Sequence, residues 1–156
     1  MEISRAGIGD IDGILELLLQ VNNVHAEGRP DIFVKDKRKY ERGELSLLLK
    51  DDDRPVFVGK DEQGTVVGYC FCVVERIGGG NQVARTTLYI DDLCVRAESR
   101  QSHIGTELYN YALGFAKSIG CYNVTLNVWE CNESARRFYD KLGLKPFKTS
   151  MEVILK

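Results

Sequence analysis

Apolar residues recur along this chain with two periods, and the switches between them mark out its elements. Glu2 to Arg5 reads as a short strand, and Asp10 is placed to cap a helix whose Ile11, Ile14, Leu15, Leu18 and Asn22 form a stripe at helical spacing. The stripe breaks between His25 and Pro30, and Asp36 is placed to cap a second helix reaching about Leu49. Period two then takes over. Pro55 to Gly59 and a stretch from Thr65 to about Glu75 read as antiparallel strands joined by the turn at Asp61 to Gly64. After the glycine-rich hairpin tip Gly78 to Asn81, a further strand runs from about Val83 to Val95. Strict alternation puts Tyr89, Asp91, Leu93 and Val95 on one face and Leu88, Ile90, Asp92 and Cys94 on the other. Both faces are largely apolar, so this strand is expected at the centre of a sheet.

Gly105 opens a helix in which Leu108, Ala112, Phe115 and Ile119 repeat at helical spacing, and Gly120 is placed to end it. A helix of that length returns the chain to the sheet, so the next strand, with Val124, Leu126 and Val128 alternating, is expected parallel to the central one. Asn132 caps a last helix that turns Ala135, Phe138, Tyr139 and Leu142 inward, and two short C-terminal strands are expected after Gly143. The order β-α-α-β-β-β-α-β-α-β predicts an α/β (α+β) fold, a mixed sheet flanked by helices, forming one domain over residues 1–156.

Composition narrows the function. At 156 residues with 44% apolar content, the chain can fill one core. Its 21 basic and 23 acidic side chains leave a net charge of −2, without the basic surplus that nucleic-acid binding draws on. The N-terminus lacks the order of a signal peptide, and the run Leu17 to Leu19 is too short to span a bilayer. The expectation is a cytoplasmic protein with no membrane or nucleic-acid partner. Of the five cysteines, Cys70, Cys72 and Cys94 sit inside apolar strand patterns and read, like Cys121 and Cys131, as reduced thiols. Neither their spacing nor the scattered His25 and His103 matches a metal site, and none is expected.

Two segments carry chemistry. Asp91 to Thr106, DDLCVRAESRQSHIGT, reads as a strand running through a tight turn directly into a helix. The first N–H groups of a helix have no internal partner, and its dipole places about half a positive charge there, so such a junction suits a pyrophosphate. Asn132 to Gly143, NESARRFYDKLG, follows an apolar strand and sets a tyrosine on a helix. Together they resemble the GNAT superfamily of N-acetyltransferases, which move an acetyl group from acetyl-CoA to an amine. That resemblance covers nearly the whole chain and implies a mostly antiparallel sheet that opens into a V between two parallel strands. It implies acetyl-CoA as cosubstrate, with the backbone N–H groups of Gln101, Ser102, His103, Ile104, Gly105 and Thr106 cradling the pyrophosphate and Arg100 adding charge. His103 stands where the family usually has glycine, so either the backbone there avoids positive φ or the imidazole points outward. The pantetheine arm would pair with the backbone of Leu93 and Val95, Asn127 to Glu130 would border the acetyl group, and Asn132 would touch the cofactor.

By the same resemblance Tyr139 is the general acid that protonates the departing thiolate. An ammonium has no lone pair, so a carboxylate near the acetyl group is expected to take the amine's proton, directly or through water. Asp91 is the candidate, on an echo of spermidine/spermine N-acetyltransferases in DDLCV and on alternation, with Asp92 as the alternative. The loop from His25 to Phe33 falls where the family builds its acceptor pocket, and Glu27 and Asp31 in it could draw a cationic amine. An acyl-cysteine route through Cys94 or Cys131 has no paired base in view. A homodimer is the family habit. The alternatives are a CoA-sensing or partner-binding module without chemistry and an enzyme that uses a longer acyl-CoA; the acceptor, whether polyamine, amino acid, antibiotic or protein terminus, is not written in the sequence.

Overall fold

The computed structural model describes every residue from Met1 to Lys156. Five strands form one sheet in chain order: β1 (Glu2–Arg5), β2 (Val56–Lys60), β3 (Val66–Gly79), β4 (Gln82–Val95) and β5 (Asn123–Leu126). Neighbours from β1 to β4 are antiparallel, and β5 joins β4 in parallel. The four helices are α1 (Ile11–Gly28), α2 (Arg42–Leu48), α3 (Ile104–Ser118) and α4 (Glu133–Lys141). α3 supplies the crossover that a parallel pair requires. No helix is long and apolar enough to cross a membrane.

Alternation along the strands feeds two apolar layers. On one face Ile14, Leu17, Leu18 and Leu45 of α1 and α2 meet Val56, Val58, Tyr69 and Phe71. On the other, Leu108, Ala112 and Ala116 of α3 meet Phe57, Cys70, Cys72, Leu88 and Ile90. Gly68 lets α3 approach the sheet: a Cβ there would lie 2.8 Å from Leu108 and 3.0 Å from the Cys94 carbonyl. All five cysteines are free, with the Cys70 and Cys72 sulfurs 3.6 Å apart in the second layer.

Several boundaries depart from the sequence pattern. α1 continues through His25 to Gly28, because Ala26 extends its buried face and the Arg29 N–H closes on the His25 carbonyl at 2.8 Å. The Asp10 carboxylate does not cap α1; it accepts the Gly7 N–H at 2.8 Å around a 3-10 turn and faces Lys60 at 3.2 Å. Asp36 does not cap α2 either. It adopts φ 59° and exchanges two hydrogen bonds with Asn23, while α2 starts at Arg42, where the Glu44 carboxylate accepts the Glu41 N–H at 3.3 Å. β5 ends at Leu126, before Val128, and the two C-terminal strands are absent: from Lys145 to Lys156 no backbone group is hydrogen-bonded within the chain.

Candidate functional site

The sheet opens between β4 and β5. The two strands pair only from Thr87 opposite Asn123 to Ile90 opposite Leu126. Beyond Ile90, β4 continues to Val95 with β3 on one side and no strand on the other. A β-bulge sits at the same point: Cys72 faces Ile90 and Phe71 faces Asp92, so Asp91 has no partner across the strand pair. A bulge inserts one residue and re-aims the side chains that follow it. Leu88 and Ile90 pack toward α3 before the bulge, Leu93 and Val95 do so after it, and Cys94 joins the layer under α1. The strict alternation expected across Asp91 therefore fails, and Ile90 no longer shares a face with Cys94.

Both carboxylates face the α1–α2 side. Asp91 is ion-paired with Lys39, from the connection between α1 and α2, at 2.7 Å. Asp92 accepts a hydrogen bond from the Tyr69 hydroxyl at 2.6 Å. Asp92 keeps some access to solvent while protein surrounds it, as at the floor of a cleft. Burial pushes its carboxyl up to about 6, although the Tyr69 hydrogen bond and the Lys39 charge pull the other way. Tyr139 is half-buried on α4, and burial raises its phenol, with Cys70, Asp92 and Tyr109 adding to the rise. Tyr139 thus keeps its proton at neutral pH and lies within electrostatic reach of Asp92. Burial also pushes the Cys94 thiol up to about 12, so Cys94 presents no thiolate nucleophile near neutrality.

The turn after β4 is built from backbone. A 3-10 turn at Ala97–Ser99 leads to Arg100, and Gln101 and His103 take the left-handed conformation, at φ 70° and 63°. His103 thus keeps the backbone a glycine would adopt, with its side chain exposed and making no cap bond. Left-handed residues in such a turn gather successive N–H groups into a concave nest. From Gln101 through Thr106 no N–H donates to a protein acceptor; the first helical bond runs from the Glu107 N–H to the His103 carbonyl at 3.0 Å. Gly105 seats this helix start against α4, since a Cβ there would lie 3.1 Å from the Phe138 ring.

Leu93 and Val95 lie opposite Cys70 and Gly68, on the stretch of β4 whose other side is open. The Val95 carbonyl is already engaged: Gln20 of α1 donates to it at 3.0 Å and accepts the Ala97 N–H at 3.1 Å. Sequence reasoning missed Gln20, whose only signal was an amide placed three residues after the buried Leu17. Asn132 uses its side-chain oxygen to accept the Ala135 N–H at 3.1 Å and so caps α4. On the acceptor side, Phe33 lies 5.0 Å from His25 and 5.2 Å from Trp129 between ring centroids, tying the α1–α2 connection to the segment after β5. Asp31 is held by Arg29 through two bonds, 2.9 and 2.8 Å, and Arg29 also grips Glu152 at 2.6 Å, whereas Glu27 is exposed. A cavity of about 260 Å³ between Val128–Glu130 and the outer residues of α4 includes neither Tyr139 nor Asp92 in its lining.

A parallel pair that parts beside a helix whose first N–H groups are free, with a half-buried carboxylate and a protonated phenol near the gap, defines the acyl-CoA N-acyltransferase class of fold. Sequence comparison agrees: the profile of the Acetyltransferase (GNAT) family matches residues 18–144, and the chain belongs to that family. It is 31% identical over 136 residues to the uncharacterized N-acetyltransferase MJ1207 of Methanocaldococcus jannaschii; the match takes in 87% of this chain and spans 57% of that relative's length. A mutant of the BH1408 protein from Bacillus halodurans superposes with a TM-score of 0.96 at 26% identity, each chain covered in full. The aminoglycoside N-acetyltransferase AAC(6')-Iy, solved in complex with CoA, shares the fold at 12% identity with a TM-score of 0.73, over 99% of both chains.

Proposed function

We propose that this chain is an acetyl-CoA-dependent N-acetyltransferase that acetylates a primary amine by direct attack within a ternary complex. The observation that carries the reading is the coincidence of the unpaired N–H groups of Gln101 to Thr106 with the open edge of β4. A pyrophosphate fits the nest, with Arg100 beside it, and an extended pantetheine fits along Leu93 and Val95. Because Gln20 holds the Val95 carbonyl, the N–H groups and the Leu93 carbonyl are left for that pairing. The cosubstrate supplies an activated thioester; the chain's residues position it and handle the protons.

Asp92 is the better base. Its carboxyl titrates near 6, so it is ionised at pH 7 yet basic enough to take a proton from the amine through a water. Asp91 remains the second reading. Its ion pair with Lys39 must open before it can take a proton, and in the meantime it places a cation at the mouth of the cleft. Tyr139, protonated at neutral pH, donates to the thiolate as the tetrahedral intermediate collapses. A primary amine on a small molecule or a peptide fits this chemistry.

Calorimetric titration with acetyl-CoA, using free CoA for comparison, tests the first half. Binding weakened by Gly105→Asp supports the nest, whereas no binding to either ligand withdraws it. An amine screen read by mass spectrometry tests transfer. Binding without transfer to any amine would favour a CoA-sensing module.

A further inference from the structure

An acetyl acceptor needs a primary amine beside a carboxylate at the open part of β4, and the chain brings one there itself. The Lys39 Nζ donates to Asp91 Oδ2 at 2.7 Å, with 51% of the lysine side chain exposed against 20% of the aspartate. Asp91 is the bulge residue, next to Asp92 and two positions before Leu93, along which the pantetheine is proposed to lie. Lys60, the other ion-paired lysine, meets Asp10 ahead of α1. Lys35 and Lys37 share the connection with Lys39 but are exposed and engage no carboxylate.

The connection is fastened on both sides of Lys39. Before it, Asn22 donates to the Val34 carbonyl at 2.7 Å and Asn23 exchanges two bonds with Asp36. After it, Tyr40 stacks on Phe71 with centroids 5.9 Å apart, and its hydroxyl accepts from Arg54 at 2.9 Å. Phe71 lies opposite Asp92 on β3, so this anchor is set beside the carboxylates. Burial works against the Lys39 ammonium, but the hydrogen bond and charge of Asp91 outweigh it and hold the group above its ordinary value. Lys39 thus waits protonated, with a carboxylate that can take its proton already in contact. Holding two reacting groups together replaces a bimolecular encounter by a unimolecular step, with effective molarities of roughly 10⁵–10⁸ M for well-oriented pairs.

We infer that Lys39 is a self-acetylation site, at which the chain transfers one acetyl group from its own bound acetyl-CoA to the Lys39 amine. The inference rests on the acetyltransferase reading above. Asp91 takes one proton from the ammonium and passes it to solvent. The freed nitrogen lone pair attacks the thioester carbonyl carbon, a C–N bond forms, and the C–S bond breaks. Tyr139 protonates the departing thiolate and is reprotonated by the second proton leaving the nitrogen. The products are an acetamide on Lys39, CoA as its thiol and one proton in solvent. The acetamide can neither ionise nor ion-pair, so the reaction stops at one acetyl per chain and frees Asp91 from its cation.

In the test, the full chain is incubated with acetyl-CoA and no added amine, and the acetyl occupancy of each lysine is followed by mass spectrometry after digestion. Lys39 should fill first, to one acetyl per chain, about 10²-fold or more faster than Lys35 and Lys37 and at a rate independent of protein concentration. An excess of free CoA should suppress Lys39 and leave its two neighbours at their background rate. Lys39→Arg, which keeps the cation, should remove the fast acetylation without passing it to Lys37. Equal acetylation of Lys35, Lys37 and Lys39, or a Lys39 rate that free CoA does not touch, is uncatalysed chemistry and overturns the inference. A rate that rises in proportion to protein concentration means that one copy modifies another, and overturns it too. A chain that binds acetyl-CoA in calorimetry and acetylates an added amine, yet leaves Lys39 unmodified, rejects self-acetylation alone, whereas absence of binding rejects both readings.

Discussion

The two sides of this sheet are built to different standards. Under α1 and between β2 and β3 the packing is closed: Ile14, Leu45, Val56, Val58, Tyr69 and Cys70 are all completely buried. Around β5 and α4 not one residue is fully covered, although Val124, Leu126, Leu142 and Leu144 lean on the layer beneath α3. Free energy of folding scales with apolar surface removed from water, so the closed side holds the fold together. The groups suited to chemistry lie at the border between the two: Asp92 on the last well-packed strand, and Tyr139 on the loosely packed helix facing it. A site assembled this way can admit a long cosubstrate into the gap without disturbing the core.

The sharpest way to break that contrast is to substitute on each side and read both stability and turnover. Tyr139→Phe should lower turnover by about 10²–10⁴-fold, the range for removing a general acid, while thermal midpoint and acetyl-CoA affinity stay close to wild type. Turnover within a few-fold of wild type would remove Tyr139 as the acid. On the closed side Leu18→Ala should destabilise the chain by about 2–5 kcal/mol, whereas Leu142→Ala, already half open to solvent, should fall below that range. Equal losses in chemical denaturation would mean that β5 and α4 are as tightly packed as α1, against what their exposure implies.

Asp92→Asn probes the border itself. The folded carboxyl titrates near 6 against an ordinary 3.8, so between those values the folded state keeps a proton that the unfolded chain gives up. Stability from this group is therefore fully present below about pH 4 and is lost as pH rises through about 6. The amide variant carries no such loss, and at pH 8 it should be about 1–3 kcal/mol more stable relative to wild type than it is at pH 4, after allowance for partial solvent access. Its activity should fall, and the acid limb of the wild-type rate profile near pH 6 should disappear. If that limb survives in Asp92→Asn and vanishes in Asp91→Asn, the base is Asp91.

How far the sequence reveals this molecule follows the same divide. Elements with a sustained period were legible: α3 with Leu108, Ala112 and its Gly120 end, the parallel return to β5, the Asn132 cap. The turn at Arg100 to Thr106 was legible too, because strand, turn and helix follow one another without a gap. What alternation could not reveal was the bulge at Asp91, since one extra residue leaves the composition of a strand unchanged and reverses every face after it. The pairings of Lys39 with Asp91 and Gln20 with Val95 were hidden because they join residues that only tertiary packing brings together. The missing C-terminal strands have a different cause. Phe147 to Leu155 has the pattern of a strand, but a strand exists only where its backbone is paired, and this segment bonds to no edge although the outer side of β5 is free.

The smallest expected effect separates backbone from side chain in the nest. His103 holds φ 63°, where a residue with a Cβ pays about 1–2 kcal/mol relative to glycine. His103→Gly removes that strain but enlarges the freedom of the unfolded chain, worth about 0.4–1 kcal/mol in the opposite direction. The net gain should be roughly 0.5–1 kcal/mol, read as a small rise in denaturation midpoint with the slope unchanged. Acetyl-CoA affinity should stay level, because the groups proposed to meet the pyrophosphate are N–H groups that glycine retains. A several-fold loss of affinity in His103→Gly would instead make the imidazole a ligand to phosphate, and the departure from glycine at this position would then be a feature of binding and not a tolerated strain.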